Sequence, residues 1–227
     1  MLVEHMVWAG YENIQIMDAT QFPHPLYNFR VEAYKPNSVY SGIYEYKEVV
    51  EKNVYKVLPE ELKDRTVIDV GAHIGSFAYL ASKYGAKRII CIEPNIENFT
   101  SLVARNIHKA EYINKAVYDE SCNALIMSNE GGRSKRINSQ GEGGVVETIT
   151  LKDVIKDVVD NKRLVLKMDC EGAEYPILMN ITAPTMKRFG VIYIEIHGEL
   201  NTEERYRGIS NLVDRIKCFG FKEIENI

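Results

Sequence analysis

Several common signatures are absent from this chain, and each absence removes a class of function. Its four cysteines, Cys91, Cys122, Cys170 and Cys218, are scattered without a CxxC pair. That argues against a structural zinc site or a disulfide framework and favours a reducing compartment. No apolar run approaches membrane-spanning length, and no basic stretch followed by an apolar segment opens the chain. A cytoplasmic protein with no membrane partner is therefore expected. The formal charge of −4 lacks the excess of Lys and Arg that draws a protein to nucleic acid, which disfavours that partner while leaving room for a local basic patch. There is no GxGxxG, so the pyrophosphate cradle of a nicotinamide or flavin enzyme is incomplete, and no GK[ST], so a phosphate-binding P-loop is excluded. No internal repeat is visible.

What is present is ordinary in bulk: 227 residues, 45% hydrophobic and 26% charged, the proportions of one α/β domain with a substantial core. Residues 1–42 read as an extension packed on that core, and 43–227 as the main domain. The extension mixes Trp8, Tyr11, Phe22, Tyr27, Phe29 and Tyr34 with Pro23, Pro25 and Pro36, which predicts short strands or turns rather than helices. From Ile43 to Leu62 the apolar residues Ile43, Tyr46, Val50, Val54 and Val57 fit one helical face, with Pro59 perturbing the end. Tyr40 and Tyr46 read as packing residues, with a place at the ligand crevice as the alternative.

The most ordered stretch runs from Thr66 to Asn95. An apolar strand, Val67 to Val70, is followed by the turn Gly71-Ala72-His73-Ile74-Gly75. A helix from Ser76 to Lys83 and a second apolar strand, Arg88 to Ile92, lead to Glu93-Pro94-Asn95. Strand, glycine turn, helix and strand ending in an acid is the plan of a nucleotide-binding unit, in which the acid accepts hydrogen bonds from ribose hydroxyls. Further strands are expected at Tyr112–Val117, Ala124–Met127, Val145–Leu151, Leu164–Asp169, Val191–Ile196 and Phe221–Ile224. Helices are expected at 97–107, 152–159, 174–180 and 203–219. This alternation implies a largely parallel sheet. The polar loop 131–144, with Arg133, Lys135 and Arg136, reads as a solvated loop or as a lid for an anionic substrate.

Four apolar runs end in, or close to, an acid: Asp69, Glu93, Asp169 and Glu195. In an open parallel sheet the carboxyl edge is the ligand edge. Buried carboxylates are costly unless paired or used, so four on one edge point to a functional crevice. Lys167 interrupts the run that ends at Asp169 and shares its face by strand alternation. A salt bridge to Asp169 or a neighbouring acid, fixing its position, is preferred for it over a chemical role. Glu171 and Glu174 lie three apart and would share a helical face. A ligand with a ribose and no pyrophosphate fits the glycine turn, and S-adenosylmethionine has that form. Its ammonium and carboxylate would sit at the turn and Asp69, and its ribose at Glu93.

The segments VIDVGAHIGSFA, CIEPN, VETITLKDVI and LVLKMDCEGAEYPIL followed by IYIEIHGE resemble the FkbM family of S-adenosylmethionine-dependent methyltransferases, from about Tyr44 to Phe221. The resemblance implies a Rossmann-like class I methyltransferase fold and methylation of a hydroxyl oxygen on a small molecule or sugar. By position it assigns Asp69, Gly71, Ala72, His73, Gly75, Glu93, Pro94 and Asn95 to the cofactor, and Asp169 to the neighbourhood of the transferred methyl. His73 departs from the asparagine usual in the family, so the hydrogen bond that shapes the turn must be made differently or is lost. Cys170 replaces a small aliphatic residue. Only one strand follows the last helix, where the family has a hairpin, so the seventh strand is either missing or supplied elsewhere.

An alcohol acceptor needs its proton removed or its oxygen polarised. Asp169 is the candidate base, and Lys167 and Glu171 complete the candidate catalytic set. In a second version Asp169 and Glu195, with His197 or Glu171, hold a divalent ion, magnesium or manganese by the hardness of the oxygen donors, with histidine tilting the choice from magnesium toward manganese or zinc. The alternatives are an RNA methyltransferase and a non-catalytic module that binds S-adenosylmethionine.

Overall fold

A computed structural model describes residues 2–8, 15–18, 45–120, 125–127, 137–138, 145–197 and 203–223. The chain enters through β1 (Leu2–Trp8) and β2 (Gln15–Asp18). A π-helical turn at Lys47–Glu51 and the short helix α1 (Pro59–Leu62) lead to β3 (Thr66–Val70), α2 (Ser76–Lys83), β4 (Arg88–Ile92), α3 (Ile96–Ala104) and β5 (Ala110–Ile113). The short strands β6 (Ala116–Tyr118), β7 (Leu125–Met127), β8 (Ile137–Asn138), β9 (Val145–Val146) and β10 (Thr148–Thr150) come next. Then follow α4 (Leu151–Ile155), β11 (Leu164–Met168), α5 (Glu174–Asn180), α6 (Ala183–Met186), β12 (Phe189–Ile196), α7 (Glu203–Cys218) and β13 (Phe221–Glu223).

The main sheet runs β13-β1-β12-β11-β3-β4-β5, with β2 on the outer edge of β1. From β12 to β5 all pairings are parallel. Strands β3, β11 and β12 are buried at every position, as strands covered on both faces must be. The chain order reverses between β3 and β11, the switch point where an open α/β sheet leaves a crevice at its carboxyl edge. This is the Rossmann-like α/β arrangement expected from the alternating pattern.

The antiparallel strand that had no source after the last helix comes from the opposite end of the chain. β1 pairs antiparallel with β12, from Leu2↔Ile196 to Val7↔Val191. Its other edge is divided, with Leu2 to His5 on β2 and Met6 to Trp8 on β13. The described part of the N-terminal extension is thus strand in the main sheet.

Three element expectations change, the first being the strand expected at 145–151, which divides into β9, paired with β7, and β10, paired with β6. The helix expected from Ile43 to Leu62 is broken, because Asn53 and Lys56 take left-handed backbone (φ 48 and 50). The Asn53 side-chain amide closes that turn, donating to the Val57 carbonyl at 3.0 Å and accepting from the Val57 N–H at 2.8 Å, and Pro59 opens α1 afresh. The strand expected at 112–117 divides into β5 and β6. Between them the Asn114 side chain turns back to the carbonyls of Glu93 and Pro94, at 2.8 and 3.2 Å. Arg133, Lys135 and Arg136 lie outside the described residues, as does Tyr40. Among the described residues no helix is long and apolar enough to cross a membrane.

Candidate functional site

Because β12, β11, β3 and β4 are neighbours, Glu195, Asp169, Asp69 and Glu93 stand side by side along the carboxyl edge, in that order. The switch point falls between Asp169 and Asp69. The four acids that the sequence scatters over more than a hundred positions form one row.

On the β3–β4 side the turn Gly71 to Gly75 is shaped by backbone bonds. Gly71 and Ala72 both donate to the carbonyl of Ile92 at 3.0 Å, and Gly75 donates to Ala72 at 2.8 Å. His73 takes left-handed backbone (φ 50), a conformation that asparagine and histidine tolerate better than most residues. Its N–H donates to Glu93 Oε2 at 2.8 Å, while Asn95 N–H donates to Oε1 at 2.9 Å. Both bonds come from backbone N–H groups, which an asparagine at position 73 would supply equally well. The Asn95 side chain caps α3 through the N–H groups of Glu97 and Asn98, at 2.9 and 3.2 Å, so Asn95 serves the acid by its backbone alone. Burial pushes the Glu93 carboxyl up, and the N–H donors and His73 oppose that shift. The His73 ring pairs with Glu45, at the start of the segment before α1. Burial lowers the affinity of that ring for a proton, but Glu45 outweighs it and the ring is held above its ordinary value.

Gly71 has a packing reason to be glycine. It sits at φ 71, and a Cβ there would lie 1.8 Å from the Asp169 carbonyl oxygen. Gly75 similarly makes room for Leu102 and Ile107. Gly71 is thus required by a close approach to backbone, and Gly75 by a close approach to side chains.

Asp69 is fully buried, with the Lys167 ammonium 3.4 Å from Oδ1. Lys167 also donates to the Gly71 carbonyl at 2.8 Å and lies 3.7 Å from Asp169 Oδ2. This is the bridging role preferred from strand alternation. Burial works against its charge, yet Asp69 and Asp169 outweigh burial and keep it protonated. For Asp69 burial dominates and its carboxyl is raised, with Lys167 opposing the shift.

On the β11–β12 side the contacts are between side chains. His197 Nε2 lies 3.7 Å from Asp169, 3.4 Å from Glu171 and 3.5 Å from Glu195, and its Nδ1 is 3.2 Å from Glu174. Burial disfavours the imidazolium, but Glu174 and Glu195 more than offset that and raise it well above the ordinary histidine value. Glu171 and Glu174 do not act alike. Glu171 lies outside the helix at φ 56, whereas buried Glu174 accepts the N–H groups of Cys170 and Gly172 at 2.8 and 2.7 Å. One ligand atom each from Asp169, Glu195 and His197 lie within 4.8 Å of one another. The Asp169 side chain is 28% exposed against 0% for Asp69, so of the two aspartates only Asp169 is open to an acceptor.

Sequence reasoning missed Tyr55 and Glu45. The buried Tyr55 hydroxyl lies 3.4 Å from both Asp169 Oδ2 and Glu195 Oε2, and its ring stacks edge-on to Phe77. Burial, then Asp169 and Glu195, raise the phenol well above its ordinary value, so it stays a donor. Tyr46, the residue that was considered for the crevice, instead faces Tyr79, in an open cavity of about 510 Å³ lined also by Arg105 and His108.

The methyltransferase FkbM domain matches residues 69–226. No curated protein matches the chain in sequence. Among solved structures it is similar to the methyltransferase FkbM of Methylobacillus flagellatus KT (17% identity, TM-score 0.45), over 70% of this chain and 38% of that one. It is also similar to an rRNA methylase of Streptococcus thermophilus (12%, TM-score 0.43, 71% and 76%). A third is the precorrin-6y C5,15-methyltransferase of Geobacter metallireducens GS-15 (16%, TM-score 0.42, 74% and 70%). The chain spans less than two thirds of the length of the Methylobacillus protein. With that domain match over most of its length, the chain belongs to the FkbM methyltransferase family.

Proposed function

We propose that the chain methylates a hydroxyl oxygen of a small molecule or sugar, with Asp169 as the base. The observation that carries this reading is the partly exposed Asp169 carboxylate at the switch point, steadied by Tyr55 at 3.4 Å and Lys167 at 3.7 Å. The cofactor residues fit their ligand. Glu93 is held by two backbone N–H groups, which fixes its carboxylate while leaving lone pairs for ribose hydroxyls. We assign Gly71, Ala72, His73, Gly75, Pro94 and Asn95 to the wall beside it, while Asp69, fully buried with Lys167 3.4 Å from it, supports that wall from behind.

S-adenosylmethionine supplies an electrophilic methyl on a sulfonium that is already a good leaving group. The protein has to align the acceptor oxygen and keep water out. With the cofactor in place, Asp169 would take the acceptor hydroxyl proton onto its carboxylate while the methyl passes from sulfur to oxygen. Lys167 and Glu171 are assigned supporting roles, Lys167 on Asp169 and Glu171 on His197.

A second reading has its own observation, the convergence of Asp169, Glu195 and His197 within 4.8 Å. It makes them ligands of magnesium or manganese, which would polarise the acceptor oxygen. Methyl-labelled S-adenosylmethionine offered in parallel to pooled sugars, small hydroxylated metabolites and RNA tests the acceptor. Label in a small-molecule fraction that disappears with Asp169→Asn supports the base reading. Label only in RNA, or undiminished in the variant, overturns it. Chelation followed by manganese restoring activity favours the metal reading, and indifference to both removes it.

A further inference from the structure

The glycine turn has few backbone donors left for a ligand. The N–H groups of Gly71 and Ala72 are held by Ile92, that of His73 by Glu93 and that of Gly75 by Ala72. The Gly71 carbonyl already accepts from Lys167. Asp69 is fully buried behind Lys167. The zwitterionic amino-acid end of the cofactor must therefore be met chiefly by side chains. At this turn the structure presents an oppositely charged pair, His73 and Glu45, with side chains 22% and 23% exposed.

Glu45 reaches the site from outside the matched domain, which begins at residue 69. Its carboxylate pairs with the His73 ring, and its charge favours the protonated forms of Tyr55, Asp69, Lys167 and His73. His73 uses Nδ1 for Glu45, and its Nε2 has no partner among the described residues. The pair so offers one anion and one free N–H donor, the complement of an ammonium and a carboxylate on one carbon.

Resting on the cofactor reading above, we propose that Glu45 and His73 form the subsite for the amino-acid end of S-adenosylmethionine. The Glu45 carboxylate receives the ammonium, and the His73 ring donates to the carboxylate. Glu45 is thus a cofactor-binding residue supplied by the segment before the domain. It ties that segment to the loaded site.

Two probes separate this subsite from the rest of the cofactor pocket. S-adenosylhomocysteine carries the amino-acid end, and 5′-methylthioadenosine lacks it. By calorimetry, Glu45→Gln is expected to weaken S-adenosylhomocysteine about 10- to 100-fold, the scale of a charge-assisted hydrogen bond. Methylthioadenosine affinity should stay within about twofold. His73→Asn, which tolerates the same left-handed backbone, should show the same selective loss. Glu93→Ala should weaken both probes and so reports on the cofactor reading separately. Unchanged S-adenosylhomocysteine binding in Glu45→Gln overturns the proposal. Equal loss of both probes also overturns it, since Glu45 would then merely brace the turn.

Discussion

At the end of β4 the Glu93 carboxylate is gripped by two backbone N–H groups at 2.8 and 2.9 Å. At the ends of β11 and β12, Asp169 and Glu195 meet Tyr55 and His197 only at 3.4 to 3.7 Å, side chain to side chain. The two halves of one acidic edge are thus built on different terms. A carboxylate fixed by backbone holds its position whether or not a ligand is bound, which suits a constant ligand such as the ribose of a cofactor. Catalytic contacts between side chains are often long in a free enzyme and tighten only when the substrate completes them. On the function proposed above, the backbone-held carboxylate belongs to the methyl donor and the side-chain cluster to the acceptor.

The first way to break the comparison is to disturb the seam between the halves. Gly71→Ala places a methyl against the Asp169 carbonyl at a left-handed residue. It should cost about 3 kcal/mol or more in urea-unfolding stability, and a near-neutral result would mean that the seam is plastic. Glu93→Ala sharpens the donor half. It should weaken S-adenosylhomocysteine by roughly 100-fold, as two charge-assisted bonds to ribose are lost, while leaving any divalent-ion binding at β11–β12 untouched. Tyr55→Phe sharpens the acceptor half. The ring still packs on Phe77, so kcat should fall about tenfold with the cofactor KM unchanged; a rise in the cofactor KM alone would place Tyr55 with the donor half instead.

The smallest effect lies at the opposite edge of the sheet and serves as a control. Burial pushes the Asp160 carboxyl up, but Lys87, the Lys162 N–H and Thr66 outweigh it and hold it down to about 2. A depressed carboxyl stabilises the fold above its unfolded value of about 4, and that stability is lost as pH falls toward 2. Asp160→Asn should therefore lower stability by about 1 kcal/mol at pH 7, a deficit that shrinks between pH 4 and pH 2, with cofactor binding unaffected.

The donor half was legible because its chemistry is local. Strand, glycine turn, helix and acid occupy thirty consecutive positions, and hydrophobic period and turn residues mark each boundary. Asp169, Glu195 and His197 were legible through a second local rule, acids and a histidine at the ends of apolar runs. Tyr55 and Glu45 obey no such rule. Tyr55 meets Asp169 and Glu195 across 114 and 140 positions, from a segment whose helical period conceals the break at Asn53. Short strands were expected in the N-terminal extension, but the pairing of β1 was hidden for a similar reason. Its partner strand lies at the far end of the chain, and aromatic and polar residues blur the alternation around it. Periodicity reports which face of an element is buried, but not which distant side chain arrives there.

The central claim is that the edge divides into a donor half and an acceptor half. It is tested most directly by calorimetry of S-adenosylhomocysteine on Asp169→Asn, paired with turnover of labelled S-adenosylmethionine by the same variant. The account predicts cofactor affinity within about twofold of the unsubstituted protein and turnover reduced about 10²- to 10⁴-fold. A parallel loss of affinity and turnover would place Asp169 in the cofactor site and contradict the division.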